Sequence, residues 1–276
     1  MRKLNSAVIK KAVAELCIKA NTQLRPDVLA ALRTAYRREK KVRAKDILGA
    51  IIKNAALARK ESLAICQDTG LPCVFVELGS NLKVVGNLSA AINKGVEIGY
   101  RKGYLRNSVV NHPLSRNRLG YEPAIIHLDL VKGSNLRLTV LPKGFGCENK
   151  TRLKMFLPTA SIGEIRQFVI DSVREAGSDA CPPYIVGVGI GGTADLACLL
   201  AKKALLRKIK NQKSKILKLE KDLLSAINRL HIGPMGLGGG ATCLGVNIKM
   251  HPTHIAGLPV AVNISCHALR SATKKL

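Results

Sequence analysis

The stretch Ile65–Gly79, "ICQDTGLPCVFVELG", places polar groups directly before an apolar run. A thiol, an amide and a carboxylate stand side by side in Cys66, Gln67 and Asp68. Gly70 then interrupts the backbone pattern, and the apolar run after it predicts a buried strand. Three adjacent polar groups at the mouth of a turn are typical of a functional site rather than of a core.

The residues before this stretch predict helices. Apolar side chains recur every three or four positions from Leu4 to about Lys60, which indicates two or three helices. A further helix is predicted near Ser89–Tyr100. Beyond it, "AIIHLDLV" and "LRLTVLPKG" alternate apolar and polar residues on both sides of Lys132–Asn135, which predicts a β-hairpin.

The C-terminal half returns to helix and then to strand. Residues 161–176 predict a helix, "PPYIVGVGI" predicts a strand, and Asp195 to about Leu230 predicts a long helical region interrupted only by "KNQKSK". The last segment is rich in glycine and predicts short strands.

The expected fold is mixed α/β, because helical and strand-forming segments follow one another without an internal repeat or a low-complexity linker. We expect one domain over residues 1–276, with a helical N-terminal lobe at about 1–65. The α/β lobe at about 66–276 would contain a small mixed or antiparallel sheet flanked by helices.

Composition limits the class of protein. The 276 residues are 47% apolar, which is enough for a substantial core. No run reaches the 18 uncharged apolar residues of a membrane span, so no membrane association is expected. The N-terminal segment has helical periodicity and includes Glu15, which favours the first helix of the fold over a transit peptide.

The strong positive charge allows two interpretations. Lys and Arg number 45 against 18 Asp and Glu, giving a formal charge of +27. Nucleic-acid binding is not favoured, because Trp is absent, only nine residues are Phe or Tyr, and no RNP, zinc-finger or helix-turn-helix signature is present. The alternative is a lysine-biased surface that also attracts a dicarboxylate.

The eight cysteines indicate a reducing compartment, since no secretion signal is visible, and we expect a cytoplasmic protein. No Cys-x-x-Cys pair occurs, so a metal site would have to be assembled from distant segments. The best candidates are Cys66, Cys181, which precedes two prolines, and Cys266, which ends the strand "AVNIS". Cys17 and Cys198 lie in apolar helical patterns and are expected to be packing residues.

Three glycine-rich segments do not match a nucleotide site well. "GVGIGG" at 187–192 fits G-x-G-x-x-G, but no second strand ending in an acid follows. It predicts a tight strand-to-helix turn, or a helix N-terminus that faces a cluster or a substrate carboxylate. The turns at 143–147 and 236–240 lack Gly-Lys-Ser/Thr and are expected to allow close backbone approach. His254, taken alone, is expected to be structural.

Five motifs in a fixed order resemble the α-type part of iron-sulfur hydro-lyases, the class I fumarate hydratase and L(+)-tartrate dehydratase family. They are "ICQDTG", "YLRNSVV", "ACPPYIVGVGIGGT", "GPMGLGGGATC" and "HPTHIAGLPVAVNISCHALR". The resemblance extends from about residue 5 to the C-terminus. It implies three cysteines on a [4Fe-4S] cluster and a β part, fused or separate, that closes the active site.

Carried over residue by residue, the resemblance implies specific roles. The cluster ligands fall on Cys66, Cys181 and Cys266, and Asp68 becomes the catalytic residue that handles the proton of water. The implied substrate-binding residues are Gln67, Asp68, Arg106, Gly144, Gly146 and His254.

The resemblance further implies a separate α subunit that hydrates fumarate to (S)-malate and needs a β subunit, in a dimer of αβ units. An L(+)-tartrate dehydratase α subunit is the alternative. A basic nucleic-acid-associated or scaffold protein on a degenerate hydro-lyase fold is the second alternative. Two turns depart from the family pattern: Phe145 replaces a glycine, and "NRLGYEP" at 117–123 replaces Asn-Thr-Gly-Asp-Asn.

Overall fold

The computed structural model describes residues 1–209 and 216–276, and the chain folds into two compact units. The first unit comprises Met1–Arg25, Ala55–Phe145 and Arg270–Leu276, and the second comprises Pro26–Asn54 and Gly146–Leu269. Both units combine helices with a sheet, so the predicted mixed α/β class is confirmed. The single domain with lobes at 1–65 and 66–276 stays a prediction, and the two units do not follow those boundaries.

The elements alternate along the chain. The helices are α1 (Ser6–Thr22), α2 (Pro26–Arg38), α3 (Val42–Glu61), α4 (Leu88–Lys102), α5 (Phe145–Glu148), α6 (Ile162–Ala176), α7 (Ala194–Leu205) and α8 (Leu217–Asn228). The longer strands are β2 (Leu71–Gly79), β6 (Ile125–Val131), β7 (Leu136–Lys143), β8 (Arg152–Phe156), β9 (Tyr184–Ile190), β10 (Cys243–Met250) and β11 (Leu258–Ser265). The short strands are β1 (Arg2–Asn5), β3 (Leu82–Val85), β4 (Val109–Val110), β5 (Leu119–Gly120) and β12 (Ala272–Lys275).

The sheet of the first unit has the order β12-β7-β2-β6, with β2 parallel to β6 and antiparallel to β7. The predicted hairpin of β6 and β7 is therefore wrong, although both strands exist. The reason is burial: β2 is buried along most of its length and takes the inner position, whereas Leu128 and Leu130 of β6 are 51% and 75% exposed. The Lys132–Asn135 turn passes around the end of β2, where Asn135 O accepts the N–H of Gly79.

Close helix packing covers this sheet. Helix α1 lies against α4, where glycines remove the side chains that would separate the two backbones. A Cβ on Gly95 would lie 2.6 Å from Lys10 O, and a Cβ on Gly99 would lie 2.6 Å from Ala14 O. Ile9, Val13 and the neighbouring apolar side chains then fill one core with the inner face of the sheet.

The sheet of the second unit has the order β10-β9-β11-β8. Strand β9 is parallel to β10 and antiparallel to β11. It is buried throughout, and Gly187 and Gly189 leave no room for a Cβ beside the backbone of α7. The "GVGIGG" segment therefore forms the predicted strand-to-helix turn, and its glycines serve helix–sheet packing.

The remaining sequence predictions concern helices. The helical region after Asp195 is present as α7 and α8, and the predicted interruption "KNQKSK" lies outside the described residues. No helix in the described ranges is both long enough and apolar enough to cross a bilayer.

Candidate functional site

The Asp68 carboxylate is held by two backbone groups of the first unit. Its Oδ1 accepts the N–H of Gly70 at 2.9 Å, and its Oδ2 accepts the N–H of Phe145 at 2.9 Å. A Cβ on Gly144 would lie 3.2 Å from Oδ2. The structure therefore brings Asp68 together with the Gly144 turn and gives the carboxylate a defined position.

The conformation and surroundings of Gly70 explain why a glycine follows the polar residues Cys66–Thr69. Its φ is +75°, in the region that favours glycine. A Cβ there would lie 2.6 Å from Pro142 C and 2.7 Å from Lys143 N. Only glycine lets the chain enter β2 so close to the end of β7, and this close approach brings the Asp68 turn to the Phe145 N–H.

Arg106 is tied to the same turn through its main chain. The Arg106 N–H donates to Thr69 Oγ1 at 3.0 Å, and Thr69 Oγ1 lies 3.4 Å from Arg106 O. Thr69 is buried, whereas the Arg106 and Gln67 side chains are exposed. An exposed guanidinium on an anchored backbone can form a bidentate contact with a carboxylate.

Two buried side chains that the sequence did not single out hold the turn from behind. Arg270 Nη2 donates to Asp68 O. The Tyr100 hydroxyl lies 2.9 Å from Thr69 O and 3.0 Å from Gly70 O, and burial raises the pKa of this phenol. Arg270 ends the motif "HPTHIAGLPVAVNISCHALR", but no local pattern links it or Tyr100 to Asp68, since α4 and the C-terminal segment reach the turn only through tertiary folding.

The second unit brings Cys181 and Cys266 to one end of its sheet. Cys181 precedes β9 and Cys266 follows β11, and these strands are antiparallel, with Ser265 opposite Ile185. The two segments touch: the N–H of His267 donates to Cys181 O at 3.4 Å, and His267 Nδ1 lies 3.1 Å from the same oxygen. Two of the three predicted cluster ligands are thus on adjoining segments.

A glycine-rich motif supports the Cys181 segment. The N–H of Met235 donates to Pro182 O at 2.8 Å, and a Cβ on Gly236 would collide with Ser178. Cys181 itself has a φ of +57°, a rare conformation for a residue with a side chain. The predicted close backbone approach of "GPMGLGGG" is confirmed.

Exposure separates the predicted ligands from most other thiols. Cys66, Cys181 and Cys266 are partly exposed, as is Cys198, and none of the eight cysteines, all within the described residues, forms a disulfide. The other four, Cys17, Cys73, Cys147 and Cys243, are buried. Burial raises the pKa of the Cys17 and Cys243 thiols, which opposes the thiolate that metal binding needs.

The predicted ligands Cys66, Cys181 and Cys266 are thiols, the ligand type that holds iron-sulfur clusters. In the described ranges, no three His, Cys, Asp or Glu side chains are grouped to hold one metal ion. A cubane cluster instead takes one thiolate on each of several irons, and partly exposed thiols in loops can supply them. Cys66 belongs to the first unit and Cys181 and Cys266 to the second; their joint role stays a prediction.

His254 lies at the other end of the sheet from Cys181 and Cys266. It stands in the exposed loop between β10 and β11, where its Nδ1 accepts the N–H of Ala256 at 3.1 Å. Strand β11 is eight residues long, which corresponds to about 26 Å. Within one unit the structure does not bring His254 to the two cysteines, and its substrate role stays a prediction.

The two departures from the family pattern have defined positions in the first unit. The Phe145 side chain is 47% exposed while its N–H holds Asp68. In "NRLGYEP", Leu119–Gly120 forms β5, and the Tyr121 ring lies 6.2 Å from the Tyr100 ring. The second departure therefore packs against a residue that supports the Asp68 turn. Gly146 belongs to the second unit, and a Cβ added to it would have no neighbouring atom within 4 Å.

Comparison with known proteins supports the motif analysis. The family model for fumarate hydratase (Fumerase) matches residues 10–275. A Methanocaldococcus jannaschii protein named "Putative L(+)-tartrate dehydratase subunit alpha" is 41% identical over 97% of both chains. The L(+)-tartrate dehydratase subunit alpha of Escherichia coli UTI89 is 30% identical over 97% of this chain and 90% of its own length. The chain belongs to the fumarate hydratase (Fumerase) family of hydro-lyases.

Proposed function

We propose that this chain is the α subunit of a two-subunit [4Fe-4S] hydro-lyase that acts on a C4 dicarboxylate. The observation that carries the proposal is the contact between the Cys181 and Cys266 segments in a chain of this family. The thiolates of Cys66, Cys181 and Cys266 would hold the cluster. When bound, a cluster with one iron free of protein ligands supplies a Lewis acid for the substrate hydroxyl and carboxylate.

The residues around Asp68 bind the substrate and move a proton. Arg106 would bind one carboxylate of the substrate through its exposed guanidinium, and the Gln67 amide would donate to a carboxylate oxygen. The Asp68 carboxylate, fixed by the N–H groups of Gly70 and Phe145, would take or give the proton of water. Gly144 and Gly146 would let the backbone approach the substrate closely.

The substrate we propose first is L(+)-tartrate, because the relatives are named for it. Dehydration of tartrate breaks one C–O bond, removes the proton from the neighbouring carbon and gives an enol that becomes a 2-oxo diacid. Fumarate hydration to (S)-malate, favoured by the motifs "LPVAVNISCHA" and "YLRNSVV", is the second candidate and agrees with the name of the family model.

The partner we propose is a β subunit, because the relatives are named as α subunits. It would contribute the base for the carbon-bound proton, and the complex would be a dimer of αβ units in the cytoplasm. Alone, the α chain should turn over little substrate.

Anaerobic reconstitution with iron and sulfide tests the cluster. We expect a broad absorption near ~400 nm that is lost in Cys66→Ser and retained in Cys198→Ser. Addition of a β subunit then tests L(+)-tartrate, fumarate and mesaconate by the formation of a 2-oxo acid or a hydroxy acid. A colourless wild-type chain with reactive cysteines would overturn the proposal.

The net charge of +27 favours testing one other class, a nucleic-acid-associated or scaffold protein. That function predicts binding to unrelated duplexes that weakens steeply with salt, together with no iron-dependent colour. Cluster formation and turnover with a β subunit, with no retained duplex at moderate salt, would exclude it as the main function.

A further inference from the structure

We propose that Arg270 and Tyr100 are positioning residues for the Asp68 carboxylate, an inference that rests on the proposed function. Together they hold three successive carbonyl oxygens, those of Asp68, Thr69 and Gly70, from the buried side of the turn. The carboxylate leaves the same turn on the side where it meets the Phe145 N–H. Fixing the main chain thereby fixes the reacting group.

Arg270 places a charged side chain in the interior of the first unit. Its side chain is only 3% exposed and, among the described residues, it forms no ion pair. Its Nε is buried without a hydrogen-bond partner. A guanidinium buried without a carboxylate is expensive, and an apolar side chain of similar size would pack there with less penalty. The guanidinium donates to Asp68 O, so the buried charge supports the turn that carries the Asp68 carboxylate.

Tyr100 holds the carbonyl oxygens of the two residues that follow Asp68. It is 1% exposed, and its ring fills the core between α1 and the sheet, so only its hydroxyl reaches the turn. One O–H proton serves two acceptors at 2.9 and 3.0 Å, which restrains both peptide groups. Since an error of about 1 Å at a reacting group can cost about 10²-fold in rate, such restraint has a direct catalytic value.

The first test is kinetic and uses the α chain with its cluster and a β subunit. We expect Arg270→Met and Tyr100→Phe to lower kcat by about tenfold or more while KM changes less than about threefold. Arg270→Lys should recover part of the loss, because an ammonium can still donate to Asp68 O. The absorbance per chain should stay at the wild-type level in all three.

The matched control is Arg207→Met. Arg207 is also a largely buried arginine, but it pairs with Glu220 at 2.8 Å and donates to Ile248 O. We expect this variant to lower the melting temperature and leave kcat unchanged. Equal losses of kcat in Arg207→Met and Arg270→Met would overturn the proposal, since the effect would then be general destabilisation.

A second readout does not depend on turnover. The amide hydrogens of Gly70 and Phe145 are bonded to the Asp68 carboxylate, so their exchange with deuterium reports its position. Arg270→Met should speed both exchanges by about threefold or more in the chain without cluster, and Arg207→Met should not. Unchanged exchange, or a kcat within about twofold of wild type, would overturn the inference. Absence of turnover in the wild type would overturn the proposed function alone, because the exchange result would still stand.

Discussion

At the scale of single residues, Asp68 is the point where local and distant contacts meet. Its carboxylate is fixed by Gly70 and Phe145, and its carbonyl by Arg270. A residue that only ended the turn would need the Gly70 contact, since an Asx turn is local. The other two contacts come from segments far away in the sequence and fix both the turn and its carboxylate within the tertiary fold.

The first prediction tests the proposed role of Asp68 in moving the proton of water. We expect Asp68→Asn to lower turnover by about 10²-fold or more, because the amide cannot accept a proton, while the cluster absorbance stays intact. Asp171→Asn, which changes an exposed carboxylate paired with Arg174, should leave both unchanged. Turnover and absorbance are measured anaerobically on the same preparation. An active Asp68→Asn enzyme would show that another group moves the proton.

The second prediction concerns a buried thiol outside the site. Burial raises the pKa of Cys243 from 9.0 to about 12. Above pH 9 the Cys243 thiol loses its proton in the unfolded chain but keeps it in the folded chain. The free energy of unfolding therefore falls as the pH rises from 9 towards 12. Between pH 8 and pH 10, the free energy of unfolding should fall by about 1 kcal/mol less in Cys243→Ala than in the wild type.

Urea unfolding at the two pH values measures this difference. Cys198→Ala is the comparison. The Cys198 thiol is only partly buried, so burial raises its pKa by less than it raises the pKa of Cys243. An identical pH dependence in wild type and Cys243→Ala would contradict the prediction.

At the scale of elements, periodicity predicted what each segment is and missed what it pairs with. Strands β6 and β7 alternate as a hairpin should, yet β2 separates them. Alternation reports one strand and its two faces, whereas the choice of neighbour depends on which strand buries most. The same limit explains the site: the motif around Asp68 was visible in the sequence, whereas the contacts of Tyr100 and Arg270 with its turn were not, because tertiary packing makes them.

The third prediction tests the contact between α1 and α4. In Gly99→Ala the new Cβ would lie 2.6 Å from Ala14 O and 2.9 Å from Ala14 Cα. Both are backbone atoms of α1, so the two helices would have to move apart to relieve the clash. We expect the free energy of unfolding to fall by about 1–3 kcal/mol. Gly163→Ala in α6 is the control, since its nearest atom would be 3.5 Å away and alanine favours a helix by about 0.5–1 kcal/mol. Equal stability of the two variants would contradict close packing.

At the scale of the whole molecule, the position of His254 limits which site it could serve. Cys181 and Cys266 stand at one end of the second unit's sheet, and His254 stands at the other, with β11 between them. A side chain cannot span an eight-residue strand. We therefore expect His254 to serve the site of a second chain in the proposed dimer of αβ units, where a two-fold axis would make the exchange mutual.

The fourth prediction follows from such sharing and uses hybrid dimers with two different tags. A dimer of one His254→Asn chain and one Asp68→Asn chain would keep one site with both groups intact, so its activity should be about half that of the wild type. Each variant alone should be nearly inactive. The reciprocal hybrid, one wild-type chain with one chain carrying both changes, should be inactive, because each of its sites lacks one group. Half activity in this reciprocal hybrid and none in the first would place both groups in one chain's site.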